Sequence, residues 1–199
     1  TGKLATLAQG SVLLQIGGTT LLAVTTIDPK DTEQDFFPLS VEYIEKLYAR
    51  GAISGSRFKK REGIPSDEAI IKARQVDHSI RSLFPKSFKK PTSVVLTILT
   101  YDQENDPETL AVLGASLSVM LTGMPYYGPS SSVVACIDQN GKVVINPKAE
   151  NRENYQGEFL ISGVDQKALN IEGWGNEISE ELMDKLLDES MFEIKKIND

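Results

Sequence analysis

Residues 92–101 read TSVVLTILTY and are bounded by Pro91 on one side and by the acidic 102–106 segment on the other. The run is near-continuously apolar, rich in β-branched residues and short. That combination reads as a buried central strand rather than a helix. It leads directly into Asp106-Pro107-Glu108, an N-cap residue, a proline at the first helical position and an acid, which together start a helix. A strand in the interior of a sheet that feeds a helix needs helices packed on that sheet. The chain is thereby constrained to an α+β or mixed α/β layered architecture.

The rest of the sequence is consistent with this. Residues 3–47 read as strands, with Val12, Leu14 and Ile16 alternating and Gly17-Gly18 as a two-residue hairpin turn with positive φ at both positions. Thr19 to Ile27 continues as a second strand, and Phe37 to Tyr43 as a third with Pro38 at its start or edge. Ser66, followed by Asp67 and Glu68, starts a helix that runs to about Phe84, where Pro85 stops it. Ile70, Ala73, Val76, Ile80 and Leu83, with Ala69 beside them, form its apolar stripe. In the second helix Leu110, Leu113, Leu117, Met120 and Leu121 mark the buried face, with Gly123 as its C-terminal cap. Ser130 to Ile137 and Lys142 to Asn146 pair around Asn140-Gly141. Glu158 to Val164 and Ala168 to Trp174 form another pair, and a last helix begins at Ser179, with Ile178 stapled onto Met183. No composition break divides residues 1–199, which read as one domain.

Apolar residues make up 40% of the chain and charged residues 25%, the proportions of a soluble globular protein. No run is long enough to span a bilayer, so no membrane partner is expected. Cys136 is the single cysteine and there is a single histidine. An intrachain disulfide framework is excluded, the single His and Cys argue against a zinc site, and a cytoplasmic setting is expected. The chain begins at Thr1 rather than Met, which reads as an excised or processed segment.

Charge is unevenly placed. The whole chain carries −7, yet Arg50 to Lys90 holds eleven Lys or Arg against four Asp or Glu. Gathering half the cations in a fifth of the length suits a surface that holds polyanion. Its first part is the loop Gly51 to Pro65, centred on Arg57-Phe58-Lys59-Lys60-Arg61, four cations that can contact phosphates around one ring that can stack on a base. In its second part, the helix from Ser66, Arg74, His78 and Arg81 fall at i, i+4 and i+7 and share a face. The bland alternatives are a solvated loop with Phe58 in the core, and surface salt bridges to Asp67 and Asp77.

Several motifs lie in the order and spacing of one family. They are TGKLA from Thr1, DFFPLSVEY from Asp35, KREG from Lys60, PSDEAIIKAR from Pro65, IRSLFP from Ile80, NDPETLAVLGAS from Asn105 and GMPYYGP from Gly123. VINP from Val144 and LISG from Leu160 extend the likeness more loosely. With these the chain resembles the first RNase PH-type domain of bacterial polynucleotide phosphorylases. The resemblance implies an RNase PH-like domain of an enzyme that degrades RNA from its 3′ end with inorganic phosphate, releasing nucleoside diphosphates. It implies single-stranded RNA, a second RNase PH-type domain of the same chain and a homotrimer of full-length chains as partners. It also implies Mg2+ held by the second domain, with none expected in this segment. Arg57 stands where the family's loop has a first aromatic, so stacking falls to Phe58. His78 stands where the family has an arginine between those matched by Arg74 and Arg81.

The residues argue against catalysis by this segment itself. The helix start Asp106-Pro107-Glu108-Thr109 is acidic and repels phosphate, whereas reactive members place a serine-rich loop there. Gln156-Gly157-Glu158 offers one carboxylate where they carry paired aspartates. Ser130-Ser131-Ser132 begins a strand and reads as structural. Three functions remain open: an RNA-positioning, ring-forming half of a phosphorolytic exoribonuclease, a purely structural assembly subunit without RNA contact, and an autonomous phosphorylase.

Overall fold

The computed structural model describes residues 1–52 and 64–199, without the side chains of residues 150, 151 and 153. In chain order the elements are β1 (Gly10–Ile16), β2 (Thr19–Ile27), β3 (Leu39–Glu45), α1 (Asp67–Arg81), β4 (Thr92–Thr100), α2 (Pro107–Met120), β5 (Ser131–Ile137), β6 (Val143–Ile145), β7 (Gly157–Val164), β8 (Lys167–Gly175) and α3 (Glu180–Asn198). Two short 3-10 turns, Leu47–Arg50 and Ala149–Asn154, complete them.

The strands form two four-stranded sheets, ordered β1-β2-β4-β3 and β6-β5-β7-β8. Neighbours are antiparallel except β3 and β4, which are parallel and joined through α1. Helices α1 and α2 lie between the sheets: α2 packs on β1, β2 and β4 and also on β5, while α1 packs on β3 and reaches β8. Helix α3 covers β5 and β7 of the second sheet. The expected mixed α/β architecture with helices on sheets is the one observed.

Strand β4 is central, between β2 and β3, but only one of its faces is buried. Val94, Leu96 and Ile98 point to the helices and are at most 2% exposed, whereas Ser93, Val95 and Thr97 on the other face are only partly buried. The apolar run overstates the burial because its outward Val95 and Thr97 are also β-branched, which a half-covered sheet tolerates.

Helix α2 differs from expectation in the same informative way. Its fully buried residues include Ala111, Val112, Ala115, Ser116, Ser118 and Val119, while Met120 and Leu121 are exposed. A helix with a sheet on either side is buried all round, and small residues set how closely the sheets approach. At Gly114 an added Cβ would lie 2.9 Å from Leu21 and 3.2 Å from Ala23.

Other boundaries shift for local reasons. Strand β3 starts at Leu39 because Phe37 is drawn into an aromatic group with Phe84 and Phe88, its ring 4.7 and 5.4 Å from theirs. Helix α1 stops at Arg81, three residues before the expected end. Of the two turn glycines only Gly17 has positive φ, 55°. Ile70 is exposed, and the buried positions of α1 are Ala69, Val76, Ser79 and Ile80. Gly123 adopts φ 74° two residues beyond the helix cap at Leu121. Ile178 joins the core over β7 and β5 without Met183, so that core does not include the expected staple.

Candidate nucleic-acid interface

Helix α1 is held in place from both ends of its sequence. The Ser66 hydroxyl accepts the Ala69 amide at 3.1 Å, and Asp67 and Glu68 occupy the positive end of the helix. On its buried side the Ser79 hydroxyl donates to the Gln75 carbonyl at 2.7 Å and lies 2.8 Å from the Ser162 hydroxyl of β7. The opposite side carries Arg74, His78 and Arg81, all exposed to solvent.

These three are on one face, as the spacing predicts, but they are not equivalent. Arg81 donates to both Asp77 carboxylate oxygens, at 2.8 and 2.7 Å, and to the backbone carbonyls of Phe37 and Leu39 at 3.0 and 3.3 Å. Its guanidinium also sits over the Phe37 ring. The surface salt bridge weighed as an alternative is therefore realised here, and Arg81 ties α1 to the chain entering β3. His78 places Nδ1 3.4 Å from Glu172 of β8, a carboxylate that opposes a phosphate at that position. Arg74 has no ion pair among the described residues. Arg57, Phe58, Lys59, Lys60 and Arg61 lie outside the described residues; the chain leaves at Ala52 and returns at Ile64, beside the start of α1.

The start of α2 carries a second group of charges that the sequence reading only half anticipated. Lys72 of α1 bridges Glu45 of β3 at 2.9 Å and Glu108 of α2 at 3.2 Å, above the Tyr43 ring. Arg152 bridges Asp106 at 2.6 Å and Glu158 at 3.1 Å. Asp106 caps the helix by accepting the Glu108 amide at 2.9 Å. Glu45, at the end of β3, is thus an ion-pair partner of α1. Burial, reinforced by the neighbouring Asp106 carboxylate, pushes the Glu108 carboxyl up to about 7. Each cation is shared by two carboxylates, and the helix N-terminus is filled by its own aspartate. A phosphate approaching there meets negative charge.

The serine triplet and the cysteine are buried. Ser130, Ser131 and Ser132 are at most 2% exposed, and the Ser130 amide donates to Ser116 at 2.8 Å. Cys136 is fully buried, and burial raises its thiol to about 12. Phe37 and Tyr43 are packed in the core or against it, whereas Phe36 and Trp174 are exposed. Among the described residues no group of three His, Cys, Asp or Glu side chains is arranged to hold a metal ion. At the start of α2 the four carboxylates of Glu45, Glu108, Asp106 and Glu158 are each engaged by Lys72 or Arg152.

A family model described as "3' exoribonuclease family, domain 1", RNase PH, matches residues 1–125. The chain belongs to this family. It is 43% identical over 198 residues to a polyribonucleotide nucleotidyltransferase of Caldicellulosiruptor saccharolyticus, covering 98% of this chain and 28% of the relative. It is 40% identical over 199 residues to one of Thermomicrobium roseum, covering 99% and 25%. The chain thus spans about a quarter of the length of these curated relatives. In three dimensions it is similar to a chain of an archaeal exosome core, with TM-score 0.70 and 21% identity over 98% of this chain and 82% of the other. A chain of an Archaeoglobus fulgidus exosome with RNA bound to the active site gives TM-score 0.68 and 21% identity over 98% and 84%. At that identity the likeness establishes the RNase PH-like fold of this family member and its two-sheet arrangement.

Proposed function

We propose that this chain is the RNA-binding, ring-forming half of a phosphate-dependent 3′-to-5′ exoribonuclease and does not carry out phosphorolysis alone. The observation that carries the reading is the exposed position of Arg74 on α1, the helix that follows the basic 57–61 segment in sequence, in a chain of net −7. In this reading Arg57, Phe58, Lys59, Lys60 and Arg61 supply most of the hold on single-stranded RNA, with Arg74 extending it. His78 contributes little while Glu172 faces it, and Arg81 acts on the fold.

The ion pairs at the start of α2 support the non-catalytic part. Phosphate and Mg2+ then belong to a second RNase PH-type domain, within a homotrimer of full-length chains in the cytoplasm. No helix among the described residues is long and apolar enough to cross a membrane.

Two measurements test this. Replacing Lys59, Lys60 and Arg61 by neutral residues should flatten the plot of log affinity against log salt by roughly 2–3 units; an unchanged slope rejects the loop as a phosphate contact. The chain given poly(A), phosphate and Mg2+ should release no nucleoside diphosphate, and release would establish an autonomous phosphorylase instead.

A further inference from the structure

The 3-10 turn Leu47–Arg50, with its cap Lys46, holds an aromatic ring between two cations. Lys46, Tyr48 and Arg50 are all exposed, and Tyr48 is 59% so. The backbone under them is pinned. Ala49 is buried in the apolar core that the first sheet shares with α1 and α2, and its carbonyl accepts the Tyr101 amide at 3.0 Å. The Ala49 amide donates to the Lys46 carbonyl at 2.9 Å. Gly51, at φ 70°, closes the turn by donating to the Tyr48 carbonyl at 2.9 Å. A ring held out by a fixed backbone loses little freedom when it meets a ligand.

The surroundings leave these groups available. Among the described residues the Tyr48 ring has no aromatic or cationic neighbour, and Lys46 has no ion pair. Arg50 lies 3.7 Å from Glu45, but that carboxylate is bridged more closely by Lys72 at 2.9 Å. The Arg50 guanidinium sits over the Tyr101 ring. The turn stands where the parallel strands β3 and β4 both end, at Glu45 and Thr100. The region outside the carboxyl ends of parallel strands is where such sheets take ligands.

We infer that Tyr48 stacks on a base of single-stranded RNA while Lys46 and Arg50 contact the phosphates on either side of that base. The alternation cation, ring, cation matches the alternation phosphate, base, phosphate along the strand. A ring face accepts any base, so the contact adds affinity without sequence preference. An acidic protein or a phosphopeptide would engage the two cations and leave the ring without a role. This role rests on RNA being the ligand proposed above. It adds residues that lie outside both the 57–61 segment and the row on α1.

Anisotropy titrations of the chain with fluorescent oligo(A), and with an abasic oligomer of equal length, test it. Tyr48→Ala should weaken oligo(A) binding about tenfold, for one stacked base, and leave the abasic oligomer within about twofold of the parent. Tyr48→Phe keeps the ring and should restore the affinity for oligo(A). Lys46→Gln with Arg50→Gln should lower the salt slope by about 1.4 units, for two phosphate contacts on a single strand. Urea midpoints check that each variant is folded. Unchanged oligo(A) affinity in Tyr48→Ala, an equal loss with the abasic oligomer, or no recovery in Tyr48→Phe overturns the inference. If neutralising Lys59, Lys60 and Arg61 still flattens the salt slope, the RNA reading stands and only the turn is removed from it. A parent chain that binds no oligo(A) removes both.

Discussion

Arg74 and Arg81 are seven residues apart on one helix face and do different things. The guanidinium of Arg81 is occupied by Asp77 and by two backbone carbonyls. Arg81→Ala should therefore cost stability, about 1 kcal/mol for a charge-assisted group that is still partly exposed. Its salt slope for RNA should stay unchanged. Arg74→Ala should do the reverse, leaving the denaturation midpoint in place and lowering the slope by about 0.7 unit for one lost phosphate contact. Urea titration and RNA titration across a salt series on the two variants check this pair of outcomes. The sequence put both residues on one face because helical spacing is local. It could not tell them apart, because the carbonyls that engage Arg81 come from residues 37 and 39, more than forty positions earlier.

Among the elements, α1 and α2 are joined through Lys72, Glu45 and Glu108, and that junction titrates. The Glu108 carboxyl is raised from its ordinary 4.5 to about 7. A carboxyl raised on folding binds its proton more tightly in the native state. Its stabilising contribution is full below the unfolded value and is lost as pH rises through the folded one. The native chain should thus lose about 1–3 kcal/mol from this group between pH 4.5 and 8. In Glu108→Gln that part of the pH dependence should vanish, read from chemical denaturation midpoints at pH 5 and pH 8. The acidic character of the start of α2 was visible in Asp106-Pro107-Glu108. Its pairing with cations was not, since Lys72 and Arg152 come from distant segments and no short motif joins them. The helices and hairpins themselves were legible from caps, Gly17-Gly18 and Asn140-Gly141. On α2 the expected Leu110 is buried and Leu117 packs against the core, but Met120 and Leu121 are exposed, and the helix also buries small residues such as Ala111, Ala115, Ser116 and Ser118 between the two sheets.

At the scale of the molecule, α2 is the layer the two sheets share. Leu14, Leu21 and Ala23 of the first sheet surround the place where a side chain at Gly114 would go, while the same helix packs on β5 of the second. Gly114→Val should push these apart and destabilise the whole chain by roughly 1–3 kcal/mol. Because neither sheet can loosen α2 alone, fluorescence of Trp174 on β8 and far-ultraviolet circular dichroism should report one transition in the variant and in the parent. Separated transitions would mean that the sheets melt independently.

The parallel pairing of β3 with β4 has a consequence for how this protein can vary. Both strands are fixed by the sheet, so the roughly 45 residues between them are closed at their ends whatever their length. Closure entropy grows only with the logarithm of length, and even over the eleven positions from 53 to 63 alone one inserted residue changes it by about 0.08 kcal/mol. The segment with Arg57, Phe58, Lys59, Lys60 and Arg61 falls inside that span. Its length can change during evolution at almost no thermodynamic penalty to the scaffold, so in the RNA-binding role proposed for it ligand preference is free to drift while the architecture stays put.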